Sequence, residues 1–437
     1  MKRLYQITEY SSFLSGRELD GFVTLPEQTF AGLENFILFN RNADTDALEL
    51  MGITVKKGVG KVITAKNYVG VITMKDGTVI EILPKLYSSE GCDAVQAKRV
   101  LLEMLKTLRA VPCKSLQTSN LKIERMSIFE IFIRMFIREV FRIVKHGLKC
   151  DYRQVEENSA FFKGKLVLSE HIRHNCVHRE RFYVAFDEFD PNRPENRLIK
   201  SALLDLYRQT ASARTKTDLR ILLNAFDAVS PSDNYDRDFS RIKPDRSMAD
   251  YHTALLWSKV FLTGKSFTAF SGSEVAQALL FPMETLFESY IAALMRQKLP
   301  SQNFHVSVQD KTYHLFSHPA KKFLLKPDIV VTRRADGAVF VCDTKWKLLS
   351  QRKPNYGISQ ADMYQMYAYQ KKYQAKSVLL LYPLCDGLTH GVIPDFKSDD
   401  GVSVKVKLID LLDIQHSMDG IRSCIGGQDS HSNYVRQ

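Results

Sequence analysis

The stretch Lys326-Pro-Asp-Ile-Val-Val-Thr-Arg-Arg-Ala-Asp-Gly-Ala-Val-Phe-Val-Cys-Asp-Thr-Lys-Trp-Lys347 holds two apolar runs on either side of Ala335-Asp336-Gly337. Short β-prone runs around a glycine-containing turn pair as an antiparallel hairpin. Such a hairpin sets Asp328, at the start of the first strand, beside Asp343, at the end of the second. Side chains alternate along a strand, so Asp343 and Lys345 share one face and Thr344 points away. Two carboxylates and an ammonium meeting at a strand end are costly to desolvate without a counter-ion. A hard divalent cation removes that cost, because Mg²⁺ favours carboxylate oxygens and water. It also lowers the pKa of a bound water and stabilises charge on a phosphoryl centre. A neighbouring lysine can orient that water or neutralise developing charge. The pattern points to phosphodiester hydrolysis with Mg²⁺, and the ligand types equally admit Mn²⁺. Singly, Asp328 also reads as a strand-end cap and Asp343 with Lys345 as a surface ion pair; their joint order is what points to chemistry.

Outward from the hairpin, residues 266–412 read as one α/β unit. A helix is expected at Met283–Gln297. Strands follow at His305–Val308, Lys326–Thr332 and Val339–Asp343, then a helix at Ser359–Tyr373 and a buried strand at Ser377–Tyr382. Gln365 and Tyr369 stand one turn apart on that second helix. The sequence after about Ile414 is polar and reads as a loose tail.

The first ninety residues or so are strand-rich: Val62–Thr64, Val69–Met74 and Val79–Leu83, with Asp76-Gly77 marking a hairpin and Pro84 its end. Residues 94–149 read as helical, with Ile128–Val144 apolar on most of its circumference. Lys98 to Lys149 holds twelve Lys/Arg against four Glu, two thirds of the whole chain's formal excess of +12. That is either a solvated face or a contact surface for phosphates or an acidic partner. Residues 150–265 mix short strands and helices. Ser230–Arg246 reads as an exposed loop. Fold class is therefore α+β to α/β and multidomain, divided as 1–150, 151–265, 266–415 and a polar tail 416–437.

The seven cysteines are scattered, odd in number and without a CxxC pair, against a disulfide framework or cysteine zinc site. No continuous apolar h-region follows the N-terminus, and the most apolar helix carries five charges. A cytoplasmic protein without a membrane span is expected.

Pro327-Asp328, with Asp343 fifteen positions after Asp328 and then x-Lys345, resembles the PD-(D/E)xK nuclease superfamily. In that superfamily an acidic residue on a preceding helix often completes the metal site, and Glu284 and Glu288 are on offer. Gln365 and Tyr369 resemble the Q-x-x-x-Y element of RecB-like nucleases. Wider segments resemble McrC, the nuclease subunit of McrBC-type modification-dependent restriction systems: Leu286-Phe-Glu288, Leu325-Lys-Pro-Asp-Ile329, Asp343-Thr-Lys-Trp-Lys347 and Asp362-Met-Tyr-Gln-Met-Tyr-Ala-Tyr369. So do Gly77-Thr-Val-Ile-Glu-Ile-Leu-Pro-Lys85, Phe162-Lys-Gly-Lys-Leu166, Phe186-Asp-Glu-Phe189 and Glu195-Asn-Arg-Leu198. The resemblance selects Glu288. It implies a restriction-endonuclease-like C-terminal domain whose catalytic residues are Glu288, Asp328, Asp343, Lys345, Gln365 and Tyr369. It implies Glu288, Asp328, Asp343 and Thr344 as metal ligands. It also implies a McrB-like AAA+ GTPase hexamer as partner, stimulated through residues 1–150, and double-stranded, modified DNA as substrate. Double-strand cutting implies paired nuclease subunits. The chain has no G-x-x-x-x-G-K-[ST] loop of its own. Two other readings stay open, a non-catalytic adaptor of an AAA+ ring and a RecB-like exonuclease. The carboxylates alone do not choose between DNA and RNA.

Overall fold

The computed structural model describes residues 4–39, 50–74, 76–87, 92–108, 126–178, 180–242, 248–263, 276–385, 387–388 and 392–426. It is a mixed α+β chain with several sheets, in two compact units: residues 3–128 with 273–437, and residues 129–272.

In the first unit a six-stranded sheet runs in the order Phe304–Val308, Ile329–Arg333, Val339–Thr344, Ser377–Pro383, Ser403–Ile409, Phe396–Lys397. The first three strands pair antiparallel. Val339–Thr344, Ser377–Pro383 and Ser403–Ile409 then pair parallel. A parallel pair needs a crossover, and the helix Gln360–Tyr373 supplies the first. Ser359 starts it by accepting from the Asp362 amide, and Gln374 ends it in the left-handed conformation. Met366, Tyr369 and Tyr373 of this helix pack on Val330, Val341, Val378 and Leu380 of the sheet. Ser377–Pro383 is buried at every residue, as an unbroken apolar strand between two parallel neighbours should be.

The N-terminal segment belongs to the same unit. Tyr68–Met74 and Val79–Leu83 form the expected hairpin, flanked by Leu4–Thr8 and by Ala276–Pro282. The last of these was not legible as a strand; it leads directly into the helix Met283–Lys298. Gly70 permits the pairing, since a Cβ there would stand 2.1 Å from the Leu279 carbonyl oxygen. A second sheet joins Phe22–Leu25, Ser12–Ser15, Gly60–Ala65 and Met51–Lys56. The helix Ala94–Leu105 begins in a capping box of Asp93 and Gln96.

The second unit packs the helix Ile128–His146 with Pro194–Gln209, Ala213–Ala225 and Ala249–Thr263, and carries a three-stranded sheet. Phe132 and Phe136 meet Trp257 and Phe261 in its core. Among the described residues no helix is long and apolar enough to cross a membrane.

Several expectations change. The compact units cut across the four stretches read from the sequence, because the Ala276–Pro282 strand ties 273–437 to the N-terminal sheet. The tail is not loose from 416: Ile414–Gly426 is a helix with Met418, Ile421 and Ile425 buried. Ser230–Arg246 contains the helix Tyr235–Arg241, capped by Asn234. Lys98 is no surface contact; it is 3% exposed and paired with Glu81 at 3.0 Å. Residues 109–125 of that basic stretch and 427–437 of the tail lie outside the described residues.

Candidate active site

The expected hairpin forms, with Ile329 opposite Cys342. Asp328 lies one residue before its strand, free of the ladder's alternation, and its carboxylate reaches the edge of Thr344. The Thr344 amide and hydroxyl both donate to Asp328 Oδ2, at 2.7 and 2.6 Å. Thr344 therefore does not simply turn away: it fixes Asp328. Lys345 Nζ donates to Asp343 Oδ2 at 2.5 Å, so those two side chains do share a side of the strand. Asp343 is 1% exposed.

Glu288 arrives on the helix Met283–Lys298 and accepts from Gln309 Nε2 at 3.0 Å. The Gln309 amide in turn donates to the Asp328 carbonyl at 2.8 Å. Gln365 Nε2 donates to the buried Tyr369 hydroxyl at 2.7 Å, which also rests against the Lys326 backbone. All six expected catalytic side chains thus lie on elements that converge on one strand end.

Burial, then the charge of Asp328, pushes the Asp343 carboxyl up to about 7. Burial, then Asp328, also raises Glu288, and burial raises Asp328 itself. For Lys345 burial opposes the charge, but the Asp343 carboxylate outweighs it and holds the ammonium above its ordinary pKa. Three carboxylates that resist ionising together are a set that additional positive charge relieves.

The donor set suits a hard cation. Among the described residues no group of three His, Cys, Asp or Glu side chains is gathered around one point. The hydrogen bonds to the two aspartates fall on Oδ2 of each, so Oδ1 of Asp328 and of Asp343 can serve a metal while Thr344 and Lys345 keep their bonds.

Residues 63–383, well over half of the chain, match the family of McrBC 5-methylcytosine restriction system components. The chain belongs to that family. Its fold is similar to a chain in the half-complex from the tetradecameric assembly of Thermococcus gammatolerans McrB AAA+ hexamers with bound McrC. The TM-score is 0.67 at 19% identity, over 96% of this chain and 100% of that one. A second structure, the Thermococcus gammatolerans McrBC complex, gives 0.49 at 20% identity over 68% and 88%. No curated protein matches.

In this McrBC-family chain the sequence missed three site neighbours. Gln309 bridges Glu288 and Asp328, and only the register of a short strand, Phe304–Val308, could have placed it. Lys347 pairs with Asp362 at 2.8 Å, a second ion pair beside the first. Nothing in the spacing named Asp362 as its partner. The Asp362 charge also raises Asp343.

Proposed function

We propose that this chain is the nuclease subunit of a McrBC-type restriction system, with a PD-(D/E)xK domain spanning the six-stranded sheet and the helices beside it. The observation that carries the reading is the strand-end set of Asp328, Asp343 and Lys345, two desolvated carboxylates with an ammonium on one of them. Asp328 and Asp343 would hold Mg²⁺ or Mn²⁺, with Glu288 as the third ligand. Bound there, the metal would supply a low-pKa water and charge for the scissile phosphate.

The chain's own groups do the rest. Thr344 locks the Asp328 rotamer with two donors on Oδ2, which leaves Oδ1 clear of those bonds. Lys345, positive at all working pH, neutralises charge as it builds on a phosphate oxygen. Gln365 and Tyr369 brace the backbone leading into Asp328, and Gln309 braces Glu288 from the other side. Mutually braced groups cost little reorganisation when charge develops.

Double-stranded, modified DNA is the substrate and a McrB-like AAA+ GTPase hexamer the partner, acting together in the cytoplasm. Family membership supports this, as does the similarity to a chain solved with McrB AAA+ hexamers. The N-terminal segment engages the ring, and two nuclease subunits pair to cut both strands. The test is closed circular plasmid, methylated and unmethylated, incubated with the chain, the GTPase, GTP and Mg²⁺. Linear product only with all components, and more of it from methylated plasmid, is expected. Degradation that needs free ends would favour an exonuclease. Stimulated GTP hydrolysis without any cutting would make the chain an adaptor.

A further inference from the structure

Between Gln309 and Asp328 the chain leaves the sheet and makes a hairpin of its own, His314–Phe316 against Lys322–Leu324. Its stem is fastened to the candidate site. Gln309 holds Glu288, and Asp310 accepts from the Tyr373 hydroxyl at 2.9 Å. Tyr313 packs edge-on to Tyr373 at 4.7 Å, and the Leu325 amide donates back to the Tyr313 carbonyl.

The outer part is different in character. Phe316 and Phe323 face each other edge to face at 5.9 Å, yet they are 54% and 70% exposed. Phe323 has φ +58°. A bulky residue in the left-handed region is strained, and folding alone gains nothing from placing that strain under an exposed ring. Around the rings the charge is one-sided: from Gln309 to Pro327 there are Lys311, Lys321, Lys322 and Lys326 against Asp310 alone, and all four lysines are exposed.

We propose that this hairpin grips duplex DNA beside the scissile phosphate, with Phe316 and Phe323 entering the minor groove against sugars and base edges and Lys321 and Lys322 on flanking phosphates. The inference deepens the nuclease reading and rests on it for the position of the cut. Asp328 lies six positions after Lys322, a reach of at most ~20 Å. That is the rise of about six base pairs, so a duplex whose phosphate reaches Asp328 and Asp343 has its next half-turn within the hairpin's range. Exposed apolar rings ringed by lysines match a groove between two phosphate rows better than they match an acidic protein face, which would leave the rings without apolar partners.

The test measures binding of fluorescein-labelled duplex DNA to the full chain, alone and with its ring partner, in EDTA so that no cutting intervenes. Phe316→Ala/Phe323→Ala should weaken binding about tenfold. Lys321→Ala/Lys322→Ala should lower the log K against log [salt] slope by about two. In the plasmid assay both should raise KM and spare kcat. All substituted side chains are exposed, and an unchanged melting temperature verifies the fold. Binding equal to wild type in both variants overturns the proposal, as does a wild-type chain that binds no duplex in either state. Unchanged DNA binding with lost GTPase stimulation would make the hairpin a protein dock instead. Because binding is read without cleavage, a wild type that binds through the hairpin but never cuts would sink the nuclease reading and leave the hairpin's role standing.

Discussion

Glu9 and Trp346 are 337 residues apart in sequence, and the indole Nε1 donates to both oxygens of the Glu9 carboxyl, at 3.0 and 3.3 Å. The Lys85 amide donates to the same group. Burial pushes Glu9 up to about 8 from 4.5. The folded chain therefore keeps this proton up to about pH 8, whereas the unfolded chain releases it near 4.5. Stability from this group is full below about 4.5 and falls as pH rises to about 8. Glu9→Gln keeps an acceptor for Trp346 and has no proton to lose. Between pH 5 and 8 its melting temperature should decline less than that of wild type; parallel decline would show that Glu9 titrates normally. Thr344 offers a second test at this scale. Thr344→Val deletes one of two donors to Asp328 at constant volume and should cost about 1.5–3 kcal/mol in denaturant unfolding, as for hydrogen bonds to charged groups. Thr344→Ser should restore most of it.

Among elements, the pairing of Tyr68–Met74 with Ala276–Pro282 decides how the unit is assembled. Gly70 has φ +139° and meets the Leu279 backbone where any side chain would sit. Gly70→Ala should therefore destabilise by at least about 2 kcal/mol, read as a lower urea midpoint; an unchanged midpoint would mean that the strands do not approach so closely. The sequence announced those elements whose residues solve a local problem. Asp76-Gly77 turned one hairpin, Ala335-Asp336-Gly337 the other, and the apolar run Ser377–Tyr382 read as a buried strand, which the structure extends to Pro383. The Ala276–Pro282 strand stayed hidden because its partner lies some two hundred residues earlier. The hairpin His314–Leu324 stayed hidden because its strands are three residues long and mostly exposed, without alternation to read. The helix Ile414–Gly426 was masked by polar residues on its outer face, while only Met418, Ile421 and Ile425 mark the inner one. For the candidate site Asp328, Asp343 and Lys345 were legible because they stand at or beside the strand ends of a hairpin whose turn the sequence marks. Gln309 and Asp362 were not, since each reaches the site from another element.

At the scale of the whole molecule, charge and family agree. A formal +12 over 437 residues favours a polyanion. Binding of duplex DNA should weaken steeply between low and physiological salt, by tenfold or more if even a few phosphates are contacted. Salt-independent binding would mean that the excess charge lies away from the DNA. The chain's membership of the McrBC family places that expectation in a restriction system.

The most direct measurement compares wild type with Asp343→Ala in one reaction containing the AAA+ GTPase, GTP, Mg²⁺ and methylated closed circular plasmid, following plasmid cleavage and phosphate release side by side. Loss of cleavage by at least about a hundredfold, with GTP hydrolysis stimulated as by wild type, is the predicted result. Cleavage by Asp343→Ala at the wild-type rate would contradict it and remove the strand-end carboxylates from the chemistry.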